Sequence, residues 1–380
     1  MTHHLLDLGK QPLVNNLCDS EVSSLLAEKF PLRAVVEDDL TIHLDYAVDP
    51  QILYGNYLYR SSTSKPYTEH CKALFDSIKH LRHDTIIDIG GNDGALLKAF
   101  QCNSTEELTL INVDASATFK QDNEDAGIRF VNDFWGDHLD LPKADIITST
   151  NVFQHTKDIH AFLRGIQKFL DGVWVLEFPY AAETIETEQF DQFYHEHYYY
   201  WLLTPLEGLF HQYGLRIIHY QKQDIHGGTM RLWMTNKEIG APTVDLTMIK
   251  NYERCLMHNA FLGSNIGRLC EEFYTMADSP YSYGRIAFFG AAAKGCVFLN
   301  ALNITSESIG KSFVIDDTPS KQGLFVPGTG LQIVDRSHLS ECDTIIILAH
   351  NFASYIAKSL RSDGFNGRIV AMLPSYQEFS

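Results

Sequence analysis

No apolar run in this 380-residue chain reaches the length of a membrane span, and its first residues, MTHHLLDLGKQ, lack the basic and apolar regions of a secretory signal. Cytoplasmic residence is the expectation that follows. Cysteine is sparse: Cys18, Cys71, Cys102, Cys255, Cys270, Cys296 and Cys342 form no C-x-x-C pair. That scatter argues against a disulfide framework or a zinc knuckle and fits reduced thiols. Positive charge is also short, with 30 Lys and Arg against 48 Asp and Glu and a formal net charge of −18. Nucleic acid is therefore a poor bulk partner, because phosphate binding relies on a positive surface. Any phosphate must be met by local cations.

Against these shortages the stretch TIIDIGGNDGALLKAF, residues 85–100, is distinctive. An apolar β-branched run ends in Asp88, turns through glycines and enters a leucine-rich helical pattern, the signature of a strand turning into a helix. Gly90, Gly91 and Gly94 let backbone approach a ligand closely, and the N–H groups opening the helix face its polar part. Glycine spacing alone also serves dinucleotides. Here Asn92 and Asp93 lie inside the turn, where a carboxylate would repel a pyrophosphate but tolerate a cationic sulfonium. The next apolar run, LTLINVD, ends in Asp114, the usual place for an acid that holds a ribose diol. S-adenosylmethionine is favoured over NAD on these grounds.

The rest of the chain organises around that loop. Residues 1–66 read as a small β-rich cap; His3, His4, Cys18 and His43 lack ligand spacing, so no metal is expected. Tyr54, Tyr57, Tyr59 and Tyr67 crowd one segment before a helix expected at Tyr67–His80, and as a group they suggest the wall of a polar pocket. From 67 to 237 strands and helices alternate, which implies a doubly wound sheet with ligands at the carboxyl ends of its strands. Asn151, Phe153 and His155 follow one such end. EQFDQFYHEHYYYW crowds Tyr194, His195, Glu196, His197 and Tyr198. If extended, it would put Tyr194, Glu196 and Tyr198 on one side and both histidines on the other. An imidazole oriented by a carboxylate is a competent base near neutral pH. In DIHGGTMRLWM, His226, Gly228 and Arg231 suit either a substrate contact or a hairpin turn. Residues 238–380 read as a helical connector and a second Rossmann-like unit, whose Lys294 and Lys321 are local cations for a phosphorylated ligand. The expected fold is thus α/β, with a cap, a central doubly wound unit and a second Rossmann-like unit.

Together these segments resemble the S-adenosylmethionine-dependent sugar C-methyltransferases, which act on nucleotide-linked keto-deoxysugars. LLDLGKQPLVNNL is similar to the family's N-terminal segment, DIGGNDGALL to its cofactor loop and NVFQH to its post-strand motif. QFDQFYHEHYYYW and IHGGTMR are similar to its active-site stretches, and GAAAKG with IDDTPSKQGLFVPGT to its C-terminal signature. The resemblance implies cofactor contacts at Asp88, Gly90, Asn92, Asp93 and Asp114, with Asn132, Asp133 and Asn151 nearby. It implies His197 as base, Tyr194 and Glu196 beside it, and Tyr57 or Tyr59 reaching in. Lys294, Asp317, Lys321 and Asn351 fall on the nucleotide-sugar side. The family's N-terminal zinc cysteines are missing, since Cys18 alone precedes Cys71. A monomer or homodimer is expected. O- or N-methylation, a nicotinamide-dependent sugar enzyme and a non-catalytic ligand-binding protein remain the competing readings.

Overall fold

The computed structural model describes residues 2–49, 52–53, 65–104, 107–225, 227–237, 244–258, 260–279, 283–310 and 312–380. Tyr54, Tyr57, Tyr59 and His226 lie outside the described residues. The chain builds three sheets. In the first, β1 (His3–Pro12), β2 (Lys29–Val36) and β3 (Ile42–Leu44) pair antiparallel, and β9 (Tyr199–Tyr200) adds to the free edge of β3. The cap sheet is therefore completed by residues that directly follow the Tyr-His-Glu-His run.

The second sheet contains β4 (Thr85–Ile89), β5 (Thr109–Val113), β6 (Arg129–Val131), β7 (Ala144–Thr150), β8 (Leu170–Pro179), β10 (Arg216–Gln223) and β11 (Thr229–Thr235). Their order is β10-β11-β8-β7-β4-β5-β6, parallel from β8 to β6 and antiparallel at β11 and β10. A parallel sheet needs cover on both faces, and Ile86, Ile87 and Ile89 are accordingly all buried. Helix Ile159–Phe169 covers one face with Ile159, Phe162, Leu163, Ile166 and Phe169, which recur at helical spacing; Asp158 caps it by accepting from Ala161 N at 2.9 Å. The helix expected at Tyr67–His80 runs Lys65–Ile78 and covers the other face with Cys71, Leu74, Phe75 and Ile78.

The third sheet holds β12 (Ile286–Phe289), β13 (Val314–Ile315), β14 (Ile333–Val334), β15 (Thr344–Ile347), β16 (Arg368–Ala371) and β17 (Gln377–Phe379) in the order β14-β13-β12-β15-β16-β17. Only β17 is antiparallel to its neighbour. One apolar core runs from Leu5 and Leu44 of the cap through Trp174 to Phe298 and Ile346 of this sheet. The cap also bonds to the last unit: Cys18 and Phe325 exchange backbone hydrogen bonds of 3.0 and 2.7 Å.

Glu253, on helix Thr247–Met257, ties the connector to the central sheet. Its fully buried carboxylate accepts from the Tyr180 hydroxyl at 2.7 Å, Leu203 N at 2.7 Å and Thr204 N at 2.8 Å. Helix Leu203–Gln212 has no side-chain cap of its own, so Glu253 satisfies its first N–H groups from outside. Glu253→Ala leaves these donors orphaned and should lower the unfolding free energy by about 3 kcal/mol in urea titrations followed by circular dichroism.

Candidate active site

Two of the sheets reverse their winding between adjacent strands, β4 and β7 in the second and β12 and β15 in the third. Crevices at the carboxyl ends of such strand pairs are where α/β sheets bind ligands. In the second sheet Gly90 faces Val152 across this crevice; at φ +64° a Cβ on Gly90 would lie 2.7 Å from Val152 Cγ2. A Cβ on Gly91 would lie 2.6 Å from Asn112 Oδ1 and 2.7 Å from Asp88 Oδ2. The loop is glycine because its backbone rests directly on its neighbours.

Two asparagines hold the loop from behind. Asn112 accepts from Gly91 N at 3.1 Å and donates to Asn92 O and Asn123 Oδ1, both at 2.9 Å, while Asn123 donates to Asn92 O at 2.9 Å. Sequence reasoning did not select either residue. Asn112 carries a usable signal, being the one amide in an otherwise apolar strand.

The remaining loop residues converge on the same crevice. Asp114 accepts from Asn92 N at 2.9 Å and Ser116 N at 2.8 Å, and burial raises its carboxyl. Asp88 lies beneath, bonded to Thr148 Oγ1 at 2.7 Å; burial pushes it up to about 7, against the lowering effect of that bond and with the charges of Asp114 and Glu177 adding. Asp93 is buried, and Gly94, at φ +76°, starts helix Ala95–Asn103 with no side-chain cap. Asn151 stands at φ +56° with its N–H on Glu177 O at 2.9 Å. Asn132 braces the lip by donating to Asp114 O and Ala115 O at 3.0 and 2.9 Å. Asp133 is exposed, next to the exposed ring of Phe134.

The Tyr-His-Glu-His run is a turn, closed by His197 N on Tyr194 O at 3.0 Å. The alternation expected of an extended backbone therefore fails: Tyr194 and His197 share a side, with the phenol hydroxyl 2.7 Å from His197 Nε2. His195 points to the cap, its Nε2 3.3 and 3.2 Å from Phe30 O and Pro31 O. Glu196 accepts from Asn15 of the cap at 2.7 Å, and burial pushes its carboxyl up to about 7. His155 donates Nδ1 to Glu196 O at 2.7 Å and sets its ring 4.9 Å from that of His197; burial pushes its imidazole down to about 4. Tyr198 donates its N–H to Gln154 O at 2.8 Å and its ring stacks on His43.

Several expected substrate contacts are spent elsewhere. Arg231 is buried and ion-paired with Glu177, so its guanidinium is committed inside the sheet. Lys321 donates to Ala291 O at 2.8 Å beside Asp316, and Asp317 is exposed and forked by Arg336, at 2.6 Å to each of its carboxylate oxygens. Gly228, at φ +104°, belongs to the β10–β11 hairpin, where a Cβ would lie 2.8 Å from Glu183 Cβ. Lys294 follows β12 and Asn351 follows β15, at the carboxyl ends of two adjacent parallel strands. Facing them are residues that sequence reasoning missed. Asp191 lies 3.0 Å from His350 Nε2, and a Cβ on Gly227 would touch Gln189, Gln192 and Asn351 at 2.5 to 3.1 Å. Burial lowers Lys294 to about 8, with the charge of Asp191 opposing the shift.

Family models match this layout. One described as a methyltransferase domain covers residues 62–220, and one described as a C-methyltransferase C-terminal domain covers residues 224–374. The C-methyltransferase NovU of Streptomyces niveus is 25% identical over 393 aligned residues, which span 97% of this chain and 92% of that one. The chain is a methyltransferase, similar along nearly its whole length to a C-methyltransferase. Among solved structures, magnesium protoporphyrin IX methyltransferase from Synechocystis is 12% identical over 48% of this chain and 88% of its own, with a TM-score of 0.34. An S-adenosylmethionine-dependent methyltransferase from Clostridium acetobutylicum is also 12% identical, over 49% and 94%, with a TM-score of 0.36. The sheet order defines the fold.

The methyl donor of this methyltransferase is S-adenosylmethionine, and the β4–β7 crevice fits it. The Asp88 and Asp114 carboxyls lie at its glycine loop, and the space left by Gly90 and Gly91 admits no side chain. Gly91→Ala should abolish S-adenosylhomocysteine binding in calorimetry while the fold persists. Because Asp88 is ionised only above about 7, S-adenosylmethionine should bind more tightly as pH rises through that value. The expected loss is about tenfold between pH 7.5 and pH 6, and Asp88→Asn should flatten the profile.

Proposed function

We propose that this methyltransferase methylates carbon on a nucleotide-linked keto-deoxysugar, with His197 as the base. The observation that carries the reading is the 2.7 Å hydrogen bond between the Tyr194 hydroxyl and His197 Nε2. A carbon beside a ketone releases its proton only if the developing enolate oxygen is held by donors. Without substrate, phenol and imidazole satisfy each other. A ketone oxygen that takes the phenol's hydrogen frees Nε2 to accept the proton from carbon. His155, pushed down to about 4, is neutral at physiological pH, so a proton arriving on His197 meets no second imidazolium. Glu196, the next residue before His197 in the turn, is held by Asn15 of the cap, and burial pushes its carboxyl up to about 7. S-adenosylmethionine supplies an electrophilic methyl group to the resulting carbanion.

Support for a nucleotide-linked sugar is the motif resemblance together with the β12–β15 crevice, where Lys294 and a set of amides face the central sheet. On this reading residues 67–237 present the methyl donor, residues 238–380 hold most of the substrate and residues 1–66 buttress the turn.

His197→Ala should lower methyl transfer by about 10²- to 10⁴-fold, the usual worth of a positioned base, and leave S-adenosylhomocysteine affinity within about twofold. Solvent deuterium entering the methylated carbon of a nucleotide keto-sugar should disappear in the same variant. Unchanged turnover would remove His197 from this role, and methylation with no loss of carbon-bound hydrogen would point to oxygen or nitrogen transfer.

A further inference from the structure

On the sheet face covered by helix Lys65–Ile78, the positions nearest the carboxyl edge are polar across four neighbouring strands. Register pairs Thr150 with Glu177 and Glu177 with Arg231, giving one row over β7, β8 and β11, and sets Asp88 of β4 beside Thr148, two residues before Thr150 on the same face of β7. Two interactions seat the first turn of the helix on this row. The Tyr67 hydroxyl lies 3.1 Å from Thr150 Oγ1, and His70 Nε2 lies 2.8 Å from Glu177 Oε2. Arg231 bonds the other Glu177 oxygen through Nε and comes within 3.3 Å of His70 Nε2 through Nη2. The Glu177, Arg231 and His70 side chains are 0%, 3% and 11% exposed. Burial alone would raise the Glu177 carboxyl, but His70 and Arg231 outweigh it and hold the group below the usual carboxylate range.

The rest of the helix is already anchored by Cys71, Leu74, Phe75 and Ile78 in an apolar cluster. Docking the helix does not require a buried charge, which costs desolvation that apolar residues would avoid. The cluster does sit at the lip of the cofactor crevice: Glu177 O receives Asn151 N at 2.9 Å, and the charge of Glu177 acts on Asp88.

We infer that Glu177, Arg231 and His70 form a latch that fixes the first turn of helix Lys65–Ile78 over the cofactor crevice, with His70 a positioning residue for S-adenosylmethionine binding. The inference rests on the cofactor assignment above, and its test separates the two. Hydrogen exchange of the ligand-free protein reports on the helix without reference to any ligand, and calorimetry with S-adenosylhomocysteine reports on the crevice. His70→Ala should speed exchange at residues 67–71 while residues 74–78 and the melting temperature stay near wild type. It should weaken S-adenosylhomocysteine by about tenfold, the scale expected when a site loosens by a fraction of an ångström. His70→Gln, which returns an N–H donor to Glu177, should recover most of both effects. Wild-type affinity in His70→Ala, or faster exchange along the whole helix with a falling melting temperature, overturns the latch. If the wild-type protein itself fails to bind S-adenosylhomocysteine, the cofactor assignment falls, and the exchange pattern still decides whether the first turn depends on His70.

Discussion

The turn Tyr194–His197 is fixed from both sides of the chain, and the arrangement of the site depends on that restraint. From the central unit, His155 donates to Glu196 O at 2.7 Å and Gln154 O accepts from Tyr198 N at 2.8 Å. From the cap, Asn15 bonds the Glu196 carboxylate at 2.7 Å, His195 reaches Phe30 O and Pro31 O, and Leu44 N bonds Tyr198 O at 2.9 Å. A four-residue turn crowded with titratable groups would otherwise sample many side-chain arrangements. With their neighbours bonded outward, Tyr194 and His197 face one another, the phenol hydroxyl 2.7 Å from the imidazole Nε2.

That restraint gives the cap a purpose without reference to a metal. Its sheet accepts β9 as a fourth strand, so the active-site segment is hydrogen-bonded into the cap itself. Its other end bonds the last unit through Cys18 and Phe325, and Ser24 Oγ reaches Val326 O at 2.6 Å. The cap is thus hydrogen-bonded to both other units. Among the described residues no group of three or more His, Cys, Asp or Glu side chains has a geometry that could hold a metal, and backbone pairing with buried polar contacts makes these connections.

Legibility in the sequence tracked the distance over which each residue is satisfied. The glycine loop was readable because a strand, its acid and the turn that follows are local, and the β5 acid obeys a spacing set by the same unit. The fold class was readable for the same reason, since alternating strand and helix signals are local. What resisted was long-range partnering. Arg231 looked available until Glu177, 54 residues earlier in the chain, took it. Lys321 looked like a phosphate cation until Ala291 and Asp316 claimed it, and Asp317 turned to Arg336. The Tyr-His-Glu-His run was found by its composition, but its shape was misjudged because alternation holds only for extended backbone. Asp191 and His350 were invisible for the converse reason: neither is unusual alone, and only the fold brings them to 3.0 Å.

Charge then separates the work of the two crevices. The β4–β7 crevice is walled by Asp88 and Asp114, so it favours a cation and resists a phosphate. At the β12–β15 crevice burial lowers the Lys294 ammonium to about 8, so it still carries a proton at neutral pH. The opposing charge of Asp191 is what limits that fall. Its charge keeps the lysine charged in a buried setting where desolvation alone would drive it further toward neutrality. His350 Nε2 lies 3.0 Å from the same carboxylate. In a chain with a net charge of −18, such local pairing gives the two crevices different local charge.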